Sequence, residues 1–273
     1  MEYIRKNKDI YITNKDFCLS ETLDCGQAFR WKPLCDEDGF EGFSGSKYLK
    51  VLNYNDYIVF KNTTADDFEN YWAYYFDLNT DYSYLKQKYS SDETLKKACE
   101  YAPGIRLLRQ DKWEALCSFI ISQNNNIPRI KGIIERLCEN FGDKTENGYT
   151  FPSANVIAKK SVDDLAPLRA GFRARYIIDA AKKVSSGEVN LDKVSTMPYD
   201  EARAELMKIV GVGIKVADCT LLYGMYRTEA FPVDVWIKRV LCEYYPNGLP
   251  ECIKGSEGIA QQYLFHYIRN LEK

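Results

Sequence analysis

A lysine and an aspartate stand in a sequence context that could support chemistry at a carbon atom. Lys215 follows a Gly-Val-Gly turn at the start of the apolar stretch IKVADCTLLYG, and Asp234 follows in FPVDVW. The start of a helix is the positive end of its dipole, so a lysine there does not serve helix stability. Apolar neighbours disfavour the charged amine, and a neutral amine is a nucleophile. The pattern predicts a nucleophilic lysine; the alternative is a surface lysine with a buried stem.

Asp234 has two interpretations that are compatible with each other. Aspartate is a favoured residue just before the first turn of a helix, where its carboxylate accepts backbone N–H bonds. A carboxylate near a reacting amine can also hold a proton or stabilise developing positive charge.

The segment EARAELMKIVGVGIKVADC predicts two helices joined by a tight turn, a helix–hairpin–helix. The first helix is expected to end at Val210 and the second to begin at Ile214. Glycine permits positive φ and close approach of the backbone, and the free N–H groups at a helix start bind phosphate oxygens. DNA phosphate contacts are therefore assigned to Gly211, Gly213 and Val216. Lys215, Cys219 and Tyr223 follow one another at helical spacing and are expected to share a face.

Composition and length restrict the class of protein. A chain of 273 residues exceeds the usual single core, and the composition of 45% hydrophobic and 28% charged residues is that of a globular protein. No apolar run approaches the roughly 18 residues of a membrane span, and the N-terminus lacks a signal-peptide core, so we expect a cytoplasmic or nucleoid-associated protein without membrane contact. Nine singly scattered cysteines indicate reduced thiols and no metal site.

The hydrophobic pattern predicts an α+β protein. Residues 1–65 read as strands, with a hairpin around Asn-Asp in KYLKVLNYNDYIVFKN, and helical spacing follows from residue 66 onward. We therefore expect an N-terminal twisted antiparallel sheet domain with flanking helices at 1–95. A larger all-helical region is expected at 96–273, containing the helix–hairpin–helix at about 199–224 and a last helix at about 256–271.

Six stretches together resemble a known family. GVGIKVADC with FPVDVW is similar to the signature of the helix–hairpin–helix, Gly/Pro-Asp superfamily of base-excision DNA glycosylases, in its lysine-bearing branch. CGQAFRW (25–31), RLLRQDKWEALCSFIISQNNNIPRI (106–130), GFRARYI (171–177) and GIAQQYLF (258–265) resemble 8-oxoguanine DNA glycosylases. The resemblance implies double-stranded DNA containing oxidised guanine as the partner. It implies a monomer with no required cofactor and leaves room for a monovalent cation at the hairpin turn.

The resemblance also implies a role for individual residues. Lys215 would attack C1′ of a nucleotide flipped out of the duplex, expel the base and form a Schiff base that permits β-elimination, assisted by Asp234. The base would be recognised by the carbonyl of Gly26, which would accept from the N7–H that 8-oxoguanine has and guanine lacks. Gln261 would bind the Watson–Crick edge of the base. Cys219 and Phe265 would lie on the two faces of its ring.

The base left opposite is expected to be cytosine. By the same resemblance Asn124 would fill the vacated space and Arg129 and Arg173 would bond the acceptors of cytosine, although both arginines could equally contact phosphates. Phe172 would be the aromatic wedge, where tyrosine is commoner. Trp236 stands where a histidine is expected in the eukaryotic branch, so the sequence assigns it no role.

Other functions stay open at this stage. A glycosylase for another damaged base would share the lysine and the aspartate. A non-catalytic helix–hairpin–helix DNA-binding module would need neither residue. A Schiff-base lyase for small carbonyl metabolites usually places its lysine in an α/β barrel, whose repeating strand–helix pattern this sequence lacks.

Overall fold

The computed structural model describes residues 2–271 and begins with an antiparallel sheet. Its strands are β1 (Ile4–Lys6), β2 (Asp9–Thr13), β3 (Trp31–Pro33), β4 (Gly39–Ser44), β5 (Lys47–Tyr54) and β6 (Tyr57–Phe60). The strand order is β1-β2-β6-β5-β4-β3. The predicted hairpin is β5–β6: Tyr54 pairs with Tyr57, and Asn55 at the turn has φ 53°. Asparagine tolerates this left-handed conformation, which explains why Asn-Asp marked the turn.

Helices make up most of the remaining described chain. They are α1 (Leu19–Leu23), α2 (Ala65–Asp67), α3 (Ala73–Tyr75), α4 (Tyr82–Tyr89), α5 (Glu93–Tyr101), α6 (Lys112–Ser122), α7 (Ile127–Phe141), α8 (Ala154–Ile157), α9 (Arg173–Ser186), α10 (Leu191–Val194), α11 (Tyr199–Leu206), α12 (Ile214–Cys219), α13 (Val235–Glu243) and α14 (Glu257–Leu271). Wider π-helical turns at Phe68–Trp72 and Thr220–Gly224 continue α2 and α12. Short 3₁₀ turns lie at Ala166–Leu168 and Glu251–Ile253.

Two details of the sequence prediction are wrong. The region after residue 96 is not all-helical, because a two-stranded hairpin, β7 (Lys144–Thr145) and β8 (Gly148–Tyr149), follows α7. The first helix of the helix–hairpin–helix ends at Leu206 and not at Val210. The backbone N–H of Val210 donates to the Asp179 carboxylate at 2.7 Å, so a tertiary bond replaces the helical one.

The protein has two hydrophobic cores, and the residues that form them are not separated at a single position in the sequence. One core lies between the sheet and the helical stretch at 65–76 and is filled by aromatic rings such as Trp31 and Trp72. The other lies within the helical region, yet it contains Tyr82 and Leu95 from the predicted N-terminal domain. Leu108, further along, returns to the core of the sheet. The predicted boundary at 95/96 falls inside α5, where the chain already belongs to the helical core.

A buried ion pair joins the sheet to the helical region. Arg30, just before β3, meets Glu114 of α6 at 3.3 Å, and Glu114 also accepts from the backbone N–H of Gly45 at 3.1 Å. No helix within residues 2–271 combines the length and the apolar character that a membrane crossing requires.

Candidate active site

A cavity of about 680 Å³ opens where α6, α7, α12, α13 and α14 converge on the turn after α1. A volume in this range suits a ligand of nucleoside size or larger. The residues that line it include Gly26, Phe29, Phe119, Asn124, Lys215, Val216, Asp234, Trp236, Lys238, Phe265 and Arg269. Five residues to which the sequence assigned a role in catalysis, in base recognition or in filling the space of the flipped base therefore line one cavity: Gly26, Asn124, Lys215, Asp234 and Phe265.

Lys215 lies in the first turn of α12, on an aromatic floor. Its Nζ is 5.3 Å from the centroid of the Phe119 ring. The ring of Tyr223 stacks on Phe119 with centroids 5.0 Å apart and an interplanar angle of 18°. Lys215 and Tyr223 thus contact the same ring, in agreement with the predicted shared face.

Burial raises the pKa of the Cys219 thiol, and the positive charge of the neighbouring lysine partly offsets that shift.

Asp234 caps α13, and the cap fixes its carboxylate in the cavity wall. Oδ1 accepts from the backbone N–H groups of Trp236 at 3.0 Å and Ile237 at 2.8 Å. Such a cap stabilises a helix by about 1 kcal/mol and restricts the carboxylate to one orientation. The N-cap interpretation is therefore correct, and the same residue faces the cavity that holds Lys215.

The predicted base-recognition residues are placed in two layers. Gly26 and Phe265 face the cavity, whereas Gln261 and Cys219 are buried, with 4% and 3% of their surface exposed, outside its immediate lining. Gln261 donates from Nε2 to the carbonyl of Pro232 at 3.2 Å, while its Oε1 is buried without a partner among the described residues. An acceptor left in this state costs about 1–3 kcal/mol, which a donor on a ligand would recover.

Gly26 has a backbone conformation that suits glycine. Its φ is +95°, and a Cβ built there would lie 2.9 Å from Cδ1 of Ile127. A side chain at this position would be strained and would also crowd Ile127 in the cavity wall, so the position suits glycine.

Comparison with known proteins identifies the family. Residues 9–116 match the 8-oxoguanine DNA glycosylase N-terminal domain, and residues 117–249 match the HhH-GPD superfamily of base excision DNA repair proteins. An N-glycosylase/DNA lyase of Saccharomyces cerevisiae is 31% identical over 84% of this chain and 68% of its own length. The chain belongs to the 8-oxoguanine DNA glycosylase family.

Solved structures of similar proteins share the whole fold of this family member. One is MBOgg1 in complex with a low-affinity DNA ligand, which is 41% identical with a TM-score of 0.93 over 100% of both chains. Another is the Clostridium acetobutylicum 8-oxoguanine glycosylase/lyase bound to double-stranded DNA containing cytosine opposite 8-oxoguanine. It is 36% identical with a TM-score of 0.93, over 100% of this chain and 99% of its own. The predicted α+β architecture of a sheet followed by a helical region is confirmed.

The residues predicted to attend to the opposite base cluster in this glycosylase around the loop between α6 and α7. Asn124 is exposed with φ 47°, and Arg129 is exposed in the first turn of α7. Phe172 has 46% of its surface exposed and packs against Tyr176 with centroids 5.7 Å apart. An exposed aromatic ring at the start of α9 is suited to the predicted wedge.

Arg173 differs from the other residues of this group because it is buried. Its guanidinium donates to the carbonyls of Gln123, Asn124 at 2.8 Å and Ala170 at 3.2 Å. Burial lowers the pKa of Arg173, and the positive charge of Arg129 adds to this effect. In the described structure Arg173 therefore holds the backbone of the loop, and its direct contact with cytosine stays a prediction.

The hairpin of the helix–hairpin–helix uses its two glycines differently. Gly211 has φ +82°, and a Cβ there would lie 2.4 Å from the ring of Tyr176. Gly213 has φ −99° and no atom within 4 Å of such a Cβ, so positive φ is needed only at Gly211. The two helices are tied together by Asp218, whose Oδ1 accepts from Nε of Arg203 at 2.8 Å.

Several residues of the site were not assigned from the sequence. Phe119 forms the floor beneath the lysine, and Trp236 and Arg269 line the cavity. The guanidinium of Arg239 lies 5.1 Å from the Trp236 ring, a cation–π distance. Phe119 lies within one of the stretches that carry the family resemblance, and Arg269 follows another. Their residue types and spacing also fit an ordinary core position and an ordinary surface position.

Proposed function

We propose that this glycosylase excises 8-oxoguanine from duplex DNA and then cleaves the strand by β-elimination. The observation that carries the proposal is that Lys215 and Asp234 face the cavity that Gly26 and Phe265 also line. Neither C1′ nor the recognition edge of a base is accessible in stacked DNA, so the nucleotide must rotate into the cavity. The cavity combines a nucleophile, a carboxylate and a ring face, which are the groups that this reaction requires.

The chemistry begins at the amine of Lys215. The neutral Nζ attacks C1′, the bond from C1′ to N9 breaks, and the electron pair leaves with the base, which takes up a proton. The attached amine loses a proton, the bond from C1′ to O4′ breaks, O4′ takes up a proton, and C1′ becomes the carbon of an iminium, the Schiff base. Loss of a proton from C2′ then expels the 3′ phosphate. The Asp234 carboxylate, which is fixed by its hydrogen bonds to the start of α13, stabilises the positive charge that develops on the sugar and the amine.

Recognition of the base is assigned to three residues, which we call the base-facing wall: Gly26, Gln261 and Phe265. The carbonyl of Gly26 accepts from N7–H of 8-oxoguanine, the amide of Gln261 meets the Watson–Crick edge, and Phe265 stacks on one face of the ring. The buried Oε1 of Gln261, which has no partner among residues 2–271, supports this assignment. Cys219, which is buried, is assigned to the other face of the ring.

Recognition of cytosine is assigned to a second group, which we call the opposite-base edge: Asn124, Arg129, Phe172 and Arg173. We propose that Phe172 wedges the duplex, that Asn124 enters the gap and that Arg129 presents its exposed donors to O2 and N3 of cytosine. Arg173 holds the loop and adds positive charge behind it. Adenine would present its exocyclic amine, a hydrogen-bond donor, to the donors of Arg129, at a cost of roughly 1–3 kcal/mol.

Phosphate binding is assigned to the backbone of the hairpin. Gly213 is exposed before α12, and a Cβ built there meets no atom within 4 Å, so a phosphate could approach the backbone. Val216 is buried, so it could contribute only its backbone N–H. A monovalent cation held by carbonyl oxygens of the turn would add positive charge toward the same phosphate.

The test is cleavage of duplexes that carry 8-oxoguanine opposite each of the four bases, with undamaged guanine as the control. We expect excision of 8-oxoguanine, fastest opposite cytosine, followed by strand cleavage. Borohydride should cross-link the protein to the same DNA by reducing the Schiff base. A protein that removes only alkylated bases, or that binds DNA without excising any base, would contradict the proposal.

A further inference from the structure

The turn that contains Gly26 is held from behind by a buried chain of hydrogen bonds. Cys25 donates its S–H to the carbonyl of Thr22 at 3.2 Å, and its sulfur accepts from Nε2 of Gln262 at 3.1 Å. Oε1 of Gln262 accepts from the hydroxyl of Tyr223 at 2.6 Å. The chain therefore connects the turn after α1 with α14 and with the π-helical turn that follows α12.

Every member of this chain is shielded from water. Cys25, Gln262 and Tyr223 have 0%, 1% and 5% of their surfaces exposed. Buried polar groups are costly unless they are paired, so each bond fixes the orientation of the next group. Burial raises the pKa of the Cys25 thiol to about 11. The sulfur thus keeps its proton, which it donates to Thr22, and its lone pairs accept from Gln262 and, at the longer distance of 3.4 Å, from Nε2 of Gln27.

The two ends of the chain lie at the two functional parts of the cavity. At one end Cys25 directly precedes Gly26, which has a positive φ and lies in the same turn, so the bonds that hold Cys25 also restrict the backbone of Gly26. At the other end the ring of Tyr223 stacks on Phe119, the floor beneath Lys215. A change in Gln262 would therefore be felt at the Gly26 carbonyl without removing any group that reacts.

We propose that Gln262 is a positioning residue for lesion recognition, which acts through Cys25 to fix the carbonyl of Gly26 where it meets N7–H of 8-oxoguanine. The inference rests on the proposed function of Gly26. It separates two steps of the same enzyme, because excision of the base uses that carbonyl, whereas cleavage at an abasic site has no base to recognise. Loss of Gln262 should therefore affect the first step more than the second.

The experiment compares these two substrates under single-turnover conditions. Gln262→Met keeps the length of the side chain and removes both polar groups. It should slow excision of 8-oxoguanine by roughly tenfold, the equivalent of one buried hydrogen bond, while strand cleavage at an abasic site changes by less than about threefold. Tyr223→Phe removes only the hydroxyl and should act in the same direction. The double variant should lose little more than Gln262→Met, because both changes break one chain.

Tyr263→Phe is the matched control. Tyr263 is the next residue of α14, is fully buried, and donates its hydroxyl to the carbonyl of Ile105 at 3.3 Å, which is not a member of this chain of hydrogen bonds. This variant loses a buried hydrogen bond but should leave the ratio of the two activities unchanged. If Gln262→Met does not fold, Tyr223→Phe, which differs by one oxygen, carries the test.

Three results overturn the positioning role: equal losses on both substrates, unchanged excision of 8-oxoguanine in Gln262→Met, or the same change of ratio in Tyr263→Phe. Failure of the proposed function is recognised separately, since the unaltered protein would then cleave abasic DNA and leave 8-oxoguanine in place. That result would remove the role of Gly26 and the positioning role together.

Discussion

The base-facing wall and the opposite-base edge are built in different ways, although they belong to one site. Gln261 of the wall is buried, and the turn of Gly26 is held by a hydrogen bond from Gln262, whose own amide accepts one from Tyr223. At the edge, Asn124, Arg129 and Phe172 are exposed, and only Arg173 is buried. The wall is thus held by the interior of the protein, whereas the edge is a set of exposed side chains on a supported backbone.

This difference separates recognition of the lesion from recognition of its partner base. Groups fixed before the substrate arrives need no reorganisation when the base enters, which favours strict discrimination. Exposed side chains order when DNA binds and lose conformational entropy then. Changes in the wall should therefore alter excision strongly, and changes in the edge should alter the preference among partner bases more than the chemistry.

The largest effect is expected from the nucleophile that both regions serve. Lys215→Gln should abolish borohydride cross-linking and reduce strand cleavage by on the order of 10³-fold or more, because no other amine is assigned to attack C1′. Binding to a duplex with 8-oxoguanine should persist, as a gel-shift measurement would show. A variant that still cross-links normally would remove Lys215 from the mechanism.

The next effect separates the wall from the rest of the site. Phe265→Ala removes a stacking face worth about 1–3 kcal/mol, so excision of 8-oxoguanine should fall by roughly 10–100-fold. Gln261→Ala should act in the same direction through loss of the amide. Binding to an abasic duplex, measured alongside, should change much less. Equal losses with both DNAs would mean that α14 only supports the fold.

A smaller effect is expected at the opposite-base edge. The unaltered protein should excise 8-oxoguanine opposite cytosine faster than opposite adenine by about one to two orders of magnitude. Arg129→Ala should flatten this ratio mainly by slowing the cytosine case, and its thermal stability should stay near that of the unaltered protein because the side chain is exposed. Equal rates opposite all four bases in the unaltered protein would show that the arginines contact phosphates instead.

The last expected effect is on stability and leaves the chemistry unchanged; it concerns the packing of the hairpin before α12 on α9. Gly211→Ala places a methyl group against Tyr176 at positive φ and should lower the free energy of unfolding by about 1–3 kcal/mol. Gly213→Ala meets no atom and should cost about 0.5 kcal/mol, so it serves as the matched control. Thermal unfolding of both variants measures the difference. A Gly211 variant as stable as the Gly213 variant would contradict the close packing of the hairpin on α9.

The features that the sequence predicted well depend on neighbours along the chain. The β5–β6 hairpin follows from Asn55 at its turn, and the cap of α13 follows from Asp234 before an apolar run. The start of α12 at Ile214 was likewise marked by the preceding glycine. Turn and cap preferences act over a few residues, so a single sequence expresses them directly.

The features that it missed depend on contacts between distant segments. Gln262 and Cys25 are separated by 237 positions, and nothing in the local spacing of either residue indicates their hydrogen bond. The early end of α11 is set by Asp179 of another helix, and the burial of Arg173 is set by the loop at 123–124. The family resemblance pointed to Arg173 as a functional residue but not to its contact with the loop backbone.

Because one segment of the chain supplies residues to both cores, the sheet and the helical region of a protein of this kind cannot easily be combined from two different parents. The segment from Tyr82 to Leu108 contributes first to the helical core and then to the core of the sheet. A chimera joined within this segment would combine parts of both cores from different parents, and side chains shaped for one set of neighbours would meet another. Sheet and helical region are therefore expected to be inherited together, as one unit of variation, and not exchanged as separate modules.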